Sequence, residues 1–191
     1  SDLRNEQRRQ YLQTVSQSVR FLNRLVNQLF ELSKLESGQS QPATEVFSIE
    51  ELAHDVTAKY QPLADQKQVS LTASKPQALR HVRADISMIE RPLDNLIENA
   101  LRFTPPEGQI SIELQQDEGD VLIDVTDTGA GIPADELPHI FDRFYRVRRH
   151  PDGTGLGLAI SQRILEAHER SISVKSRVNE GSVFSFSLPC A

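Results

Sequence analysis

Two asparagines and an arginine share the run LDNLIENALRF: Asn95 and Asn99 are four residues apart, and Arg102 follows three later. On a helix this spacing puts them on nearly one line, with Leu93, Leu96, Ile97, Ala100 and Leu101 forming the apolar face. Amide oxygens suit Mg2+, which takes oxygen ligands and commonly shares its shell with phosphates. A guanidinium suits the phosphates themselves. The same triplet also reads as a solvated polar stripe.

A second cluster follows the alternating run DVLIDVTD. Asp127 shares the parity of Val121, Ile123 and Val125, so if the apolar face is the inner one, this carboxylate points inward at a strand end. A buried acid needs a partner. It is either satisfied within its own loop or left to accept from a ligand's amino group, such as the exocyclic amine of adenine, with Gly129 and Gly131 letting backbone approach a flat base. The stretch GAGIPA also fits a dinucleotide fingerprint, but Pro133 and a hairpin-type strand argue against a βαβ unit. A third cluster, Gly153, Gly155 and Gly157, stands directly before the amphipathic run LGLAISQRILEAH, where bare amides at a helix start make an anion site. No Lys-Ser/Thr follows, so it is not a Walker A loop. Between these clusters lies HIFDRFYRVRRHPD, with Phe141, Phe144 and Tyr145 as expected packing residues. Arg146, Arg148 and Arg149 belong either to a charged surface loop or to a lid that meets a polyphosphate.

The elements that must hold these residues are legible from periodicity. Leu12, Val15, Val19, Leu22, Val26 and Leu29 form a heptad stripe on a long first helix, widened by Tyr11, Leu25 and Leu32 and ending near Gly38 and Pro42. Such a face packs on the rest of the chain or, as its regularity favours, enters a helical hairpin or dimeric bundle. Beyond Pro42 the pattern turns to mixed α/β. A short strand precedes a helix with a capping box at Ser48 and Glu51, QVSLTAS is a strand, and a helix capped by Asp85 is expected to be interrupted by Pro92. The runs QISIELQQ and DVLIDVTD form a hairpin around DEGD, and SISVKS with SVFSFSLP closes the chain. The fold expected is α+β: helices against a largely antiparallel sheet, preceded by a coiled-coil-like helix.

The formal net charge of −6 argues against a nucleic-acid binder. The single cysteine, Cys190, allows no internal disulfide and is compatible with a reducing compartment. No apolar run approaches the roughly 20 residues of a membrane span, so the chain reads as a soluble, cytosolic piece that could belong to a membrane protein.

With these stretches in order, the chain closely resembles the catalytic, ATP-binding domain of two-component sensor histidine kinases, of the superfamily shared with DNA gyrase B, MutL and the ninety-kilodalton heat-shock chaperones. LDNLIENALRFTP is similar to the family's N box, DTGAGIP to its first glycine box, IFDRFYR to its F box, GTGLGLAI to its second glycine box and EGSVFSFSLP to the last. The resemblance implies a two-layer α/β sandwich of the Bergerat type at 42–191. The helix of 1–41 would be the second of a dimerisation and phosphotransfer hairpin whose phosphoacceptor helix is absent. It implies ATP and Mg2+, with Asn99 and Asn95 as metal ligands, Arg102 and Arg146 at the phosphates, Phe103 beside the adenine and Asp127 on its amine. Gly129, Gly131 and Ile132 would wall the base. The loop Gly153, Thr154, Gly155, Leu156, Gly157 and Leu158 would meet the phosphates, and Ser182 would hold a water.

The activity implied is phosphate transfer to a histidine, with relay to a response regulator, in a homodimer whose parent is membrane-anchored and whose catalytic part is cytoplasmic. An amide at Asn95, where the gyrase and chaperone relatives carry a glutamate, suits transfer rather than hydrolysis. None of His54, His81, His139, His150 and His168 has the family's phosphoacceptor context. A degenerate regulatory module and an ATP-hydrolysing relative are the alternatives. The sequence departs from the family at Pro92, in a short lid, and in AHERSI, which stands where a Gly-Gly turn is expected.

Overall fold

The alternating runs in the second half of the chain are strands of one sheet, and their register decides where Asp127 points. The computed structural model describes residues 2–38, 41–74, 79–147 and 153–191. Its elements are α1 (Asp2–Glu36), β1 (Glu45–Phe47), α2 (Ile49–Lys67), β2 (Ser70–Ala73), β3 (Val82–Ala84), α3 (Ile86–Phe103), β4 (Gln109–Asp117), β5 (Asp120–Asp127), α4 (Gly157–Ala167), β6 (Ile172–Arg177) and β7 (Gly181–Pro189). The main sheet has the order β2-β4-β5-β7-β6, while β1 and β3 form a separate pair. Among the described strands of the main sheet only β2 and β4 run parallel, so the largely antiparallel expectation is met.

Register stacks the buried face in rows across β4, β5 and β7: Leu114, Ile123, Phe186; then Ile112, Val125, Phe184; then Ile110, Asp127, Ser182. The first two rows are apolar and meet Leu93, Leu96, Ile97 and Leu101 of α3 together with Ile160 and Ile164 of α4 in one buried core. Asp127 therefore ends an apolar column, as its parity predicts.

Helix starts follow the sequence. The Ser48 hydroxyl accepts the Glu51 N–H at 3.2 Å. Asp85 accepts from Met88 N–H at 3.1 Å and Ser87 hydroxyl at 2.7 Å, and also from Ala43 N–H at 2.9 Å. Burial pushes the Asp85 carboxyl up, but the Ser87, Ala43 and Met88 bonds outweigh it and hold the group below its ordinary value.

Three expectations are corrected. Pro92 does not interrupt its helix: α3 runs unbroken through it. The ring gives Met88's carbonyl no N–H, but Pro92 is buried, and core packing holds the turn helical. Phe144 is no packing residue. It is 55% exposed with a φ of 61°, an unusual conformation for a bulky side chain. The missing Gly-Gly turn is made without glycine. Glu169 takes a φ of 60° after α4, and His168 Nε2 accepts the Asp85 N–H at 3.1 Å. That bond leaves the proton on Nδ1, which donates to Ile164 O at 2.8 Å. A side chain thus fastens the turn to the N-cap of α3.

α1 lies along this body. Leu32 is fully buried, and Leu25 and Leu35 pack against the core. The heptad stripe from Leu12 to Leu29 stays 49–60% exposed. None of the described helices is long and apolar enough to cross a membrane.

Candidate functional site

β5 delivers Asp127 to the end of the sheet, only 8% exposed. Its Oδ1 accepts the Gly129 N–H at 2.8 Å. Burial pushes its carboxyl above the ordinary value, and the bonds from Gly129 and Ser182 pull it only partly back. The loop after it is pinned on both sides. Ala130 N–H donates to Phe103 O at 3.2 Å, and Asn179 N–H donates to Ala130 O at 2.9 Å. Ile132 N–H donates to Ser176 Oγ at 2.8 Å, and that hydroxyl lies 3.0 Å from Ser182 Oγ. Gly131 adopts a φ of 64°, and a Cβ there would fall 1.9 Å from the carbonyl oxygen of Arg177. The reason for its glycine is therefore close backbone approach between two loops.

α3 and α4 build the opposite end. The Asn95 amide nitrogen donates to Gly157 O at 3.0 Å and to Ser161 Oγ at 3.1 Å, tying the two helices together. One turn on, Asn99 Oδ1 accepts from Arg102 at 3.4 Å. The second glycine loop meets this pair. Arg146 donates to Gly153 O at 2.8 Å, and the Leu156 N–H donates to Thr154 Oγ1 at 3.3 Å. Gly155 has a φ of 73°, and its carbonyl accepts the Phe144 N–H at 2.8 Å. A Cβ on Gly155 would sit 2.6 Å from Phe144 backbone. The F-box and glycine-loop segments therefore lie back to back, each in the left-handed region.

One cleft joins the two ends. Asn95, Asn99, Arg102, Phe103, Asp127, Gly131, Ile132, Arg146, Gly153, Thr154, Gly155, Gly157, Leu158 and Ser182 all line it. Gly129 and Leu156 do not: Gly129 serves Asp127 from behind, and Leu156 is buried in the core as the residue before α4. Arg148 and Arg149 lie outside the described residues. The cleft also takes residues to which the sequence assigns no site role: Arg24 and Gln28 of α1, Glu98, Phe184, and Tyr145, which the sequence marks only for packing. Glu98 accepts the Tyr60 hydroxyl at 3.0 Å. Gln28 had a signal available, since it stands in a second heptad stripe, Phe21, Leu25, Gln28, Leu32 and Leu35, one residue behind the first, whereas Arg24 lies outside both stripes.

This cleft sets a buried acid against two amides, arginines and the glycine-rich start of a helix. Residues 84–191 match the family described as histidine kinase-, DNA gyrase B-, and HSP90-like ATPase. The chain belongs to that family. Its likeness to sensor kinases extends beyond the family stretch. The sensor histidine kinase RppB of Synechocystis sp. is 36% identical over 182 residues, covering 93% of this chain and 40% of RppB. The adaptive-response sensory kinase SasA of the same organism is 33% identical over 185 residues, covering 95% of this chain and 48% of SasA. The chain thus spans less than half the length of these relatives. Full-length ShkA, solved in complex with AMPPNP, matches with a TM-score of 0.84 and 28% identity over 96% of this chain and 39% of that one. The histidine kinase-type sandwich expected from the boxes is therefore the fold observed, and its cleft lies where the boxes converge.

Proposed function

We propose that this chain binds Mg-ATP and forms the catalytic part of a sensor histidine kinase, passing the γ-phosphate to a histidine on a separate helix for relay to a response-regulator aspartate. The observation that carries this reading is the polarity of the cleft. A carboxylate that only a hydrogen-bond donor can satisfy stands at one end, and cations with bare amides stand at the other. Adenine's amine and a polyphosphate match those ends. Asp127 would choose the base, Phe103 and Ile132 would flank it, and Ser182 would hold a water. Arg102, Arg146 and the amides of Gly153, Gly155 and Gly157 would hold the phosphates.

The residues present suit Mg2+ as well. Among the described residues no cluster of His, Cys, Asp or Glu could cage a metal. Asn95 commits its amide nitrogen to Gly157 and Ser161, which leaves its carbonyl oxygen to serve as a ligand. With Asn99 Oδ1 it would share an ion already carried by phosphate oxygens, and the ion would neutralise developing charge during transfer. The amide at Asn95 cannot take a proton from water, which suits transfer to a protein rather than hydrolysis.

In this reading 42–191 is the ATP-binding domain and 1–41 belongs to the dimerisation and phosphotransfer hairpin. The exposed stripe on α1 supports a homodimer, and the parent protein is an anchored sensor with this part in the cytoplasm. Titration calorimetry with a non-hydrolysable ATP analogue tests the core of the proposal. Binding that tightens when Mg2+ is added supports it, and no heat at millimolar analogue refutes it.

A further inference from the structure

α1 carries two apolar seams. The outer one stays exposed. The second, Phe21, Leu25, Gln28, Leu32 and Leu35, recurs at spacings of four, three, four and three, and its Leu25, Leu32 and Leu35 pack on the body. Ion pairs fasten that side. Arg91 holds Glu31 through two bonds of 3.0 and 2.5 Å. Glu36 pairs with Arg143, and Arg163 lies 3.7 Å from the same carboxylate. Gln28 is the polar break in this seam. Its Oε1 accepts the Thr154 hydroxyl at 2.6 Å, inside the second glycine loop. Arg24, one turn earlier on the same face, lines the same cleft.

We infer that α1 is a wall of the nucleotide site, with Arg24 as its binding residue and Gln28 as a positioning residue that holds Thr154. The inference rests on the ATP reading above and adds to it. Arg24 brings a further cation to a cleft that already holds Arg102 and Arg146. Guanidiniums converging from three elements suit a polyphosphate, whose oxygens accept charge-assisted bonds from each. Gln28 fixes Thr154, and Thr154 in turn receives the Leu156 N–H beside the start of α4. Because α1 touches both body and ligand, nucleotide affinity and helix docking are linked. Each strengthens the other by one common factor.

The test is titration of this chain and its variants with a non-hydrolysable ATP analogue and Mg2+. Arg24→Ala is expected to weaken binding by roughly two- to fivefold, the upper range of an exposed charge pair. The loss should shrink in half-molar salt because a screened charge is being read. Gln28→Ala weakens binding to a smaller degree, and Asn23→Ala, on an exposed face away from the cleft, leaves it unchanged. The double variant Glu31→Arg, Glu36→Arg undocks α1 without touching the cleft and should reproduce the Arg24→Ala loss. In the unaltered chain, saturating analogue should slow amide exchange across residues 21–36. If the unaltered chain binds and both cleft variants stay within twofold of it, the inference is overturned and the ATP reading stands. A loss on Arg24→Ala that is indifferent to salt also overturns the role given to its charge. If the unaltered chain does not bind, both fall.

Discussion

Replacing Asp127 with asparagine separates the two costs that the structure gives this carboxyl. In the free protein the acid is 8% exposed at the end of an apolar column, and burial raises its pKa. A carboxyl whose folded pKa exceeds its unfolded one keeps its proton longer in the folded state. Stability therefore falls as pH rises from the ordinary carboxylate value through the raised one, and the loss is complete above it. The Asp127→Asn variant carries no such charge and should lose this part of the acid-side slope, while its amide nitrogen cannot accept the bonds that the carboxylate takes. With nucleotide the effect is on affinity. The Gly129 N–H needs an acceptor, so the new amide oxygen stays on it and the amide nitrogen turns toward the ligand's amine, donor against donor. A hydrogen bond to a charged group is worth about 1.5–3 kcal/mol, so the dissociation constant should rise roughly ten- to 150-fold. Calorimetry with the ATP analogue and urea unfolding across pH 3–8 read the two effects. An affinity within twofold of the unaltered chain, on a folded variant, would refute the assignment of Asp127 to the base. A variant whose stability keeps the parent's slope on the acid side would refute the burial cost.

Two backbone positions give further checks. Glu169→Gly removes a left-handed strain worth about 1–2 kcal/mol and adds some unfolded-state entropy, for a net gain of about 0.5–1 kcal/mol in urea unfolding. A lowered midpoint would mean that the Glu169 side chain, not the turn, holds this end of α4. Gly131→Ala places a methyl 1.9 Å from Arg177 O and 2.6 Å from its carbonyl carbon, both backbone atoms, so one loop must move. A loss of at least about 2 kcal/mol is expected, with weaker analogue binding. An unaltered melting temperature would show the approach to be softer than drawn.

Much of this site is legible in residue order because side-chain parity and capping are local. Asp127 points inward for the same reason that Val121, Ile123 and Val125 do, and Asp85 caps α3 because its carboxylate reaches an amide three residues on. The features that escape a linear reading depend on distant partners. At Pro92 the lost hydrogen bond is visible locally, whereas the burial that holds the turn is not. β3 is a three-residue strand that pairs with the equally short β1, Ala84 against Glu45 and Val82 against Phe47, with the whole of α2 and β2 between them. No local pattern reaches that far. The heptad seam marks Gln28 as a position that packs, but not its partner, because Thr154 lies 126 residues away. The AHERSI turn holds because His168 finds Asp85 on another helix, a meeting that only the packed chain brings about.

The row Ile110, Asp127, Ser182 has a consequence for how the cleft comes apart. The Asp127 end, proposed for the base, is cut into the rim of the central sheet, so its geometry opens only with the most protected part of the molecule. The Arg146 end, proposed for the phosphates, is assembled from a loop, the first turn of α4 and a helix docked through Leu25, Leu32 and Leu35 together with partly exposed ion pairs, all of which lie outside the sheet and can open without it. Heat or mild denaturant should therefore erode affinity first while the preference among bases persists, so that a partly loosened molecule binds weakly yet still binds the right nucleotide.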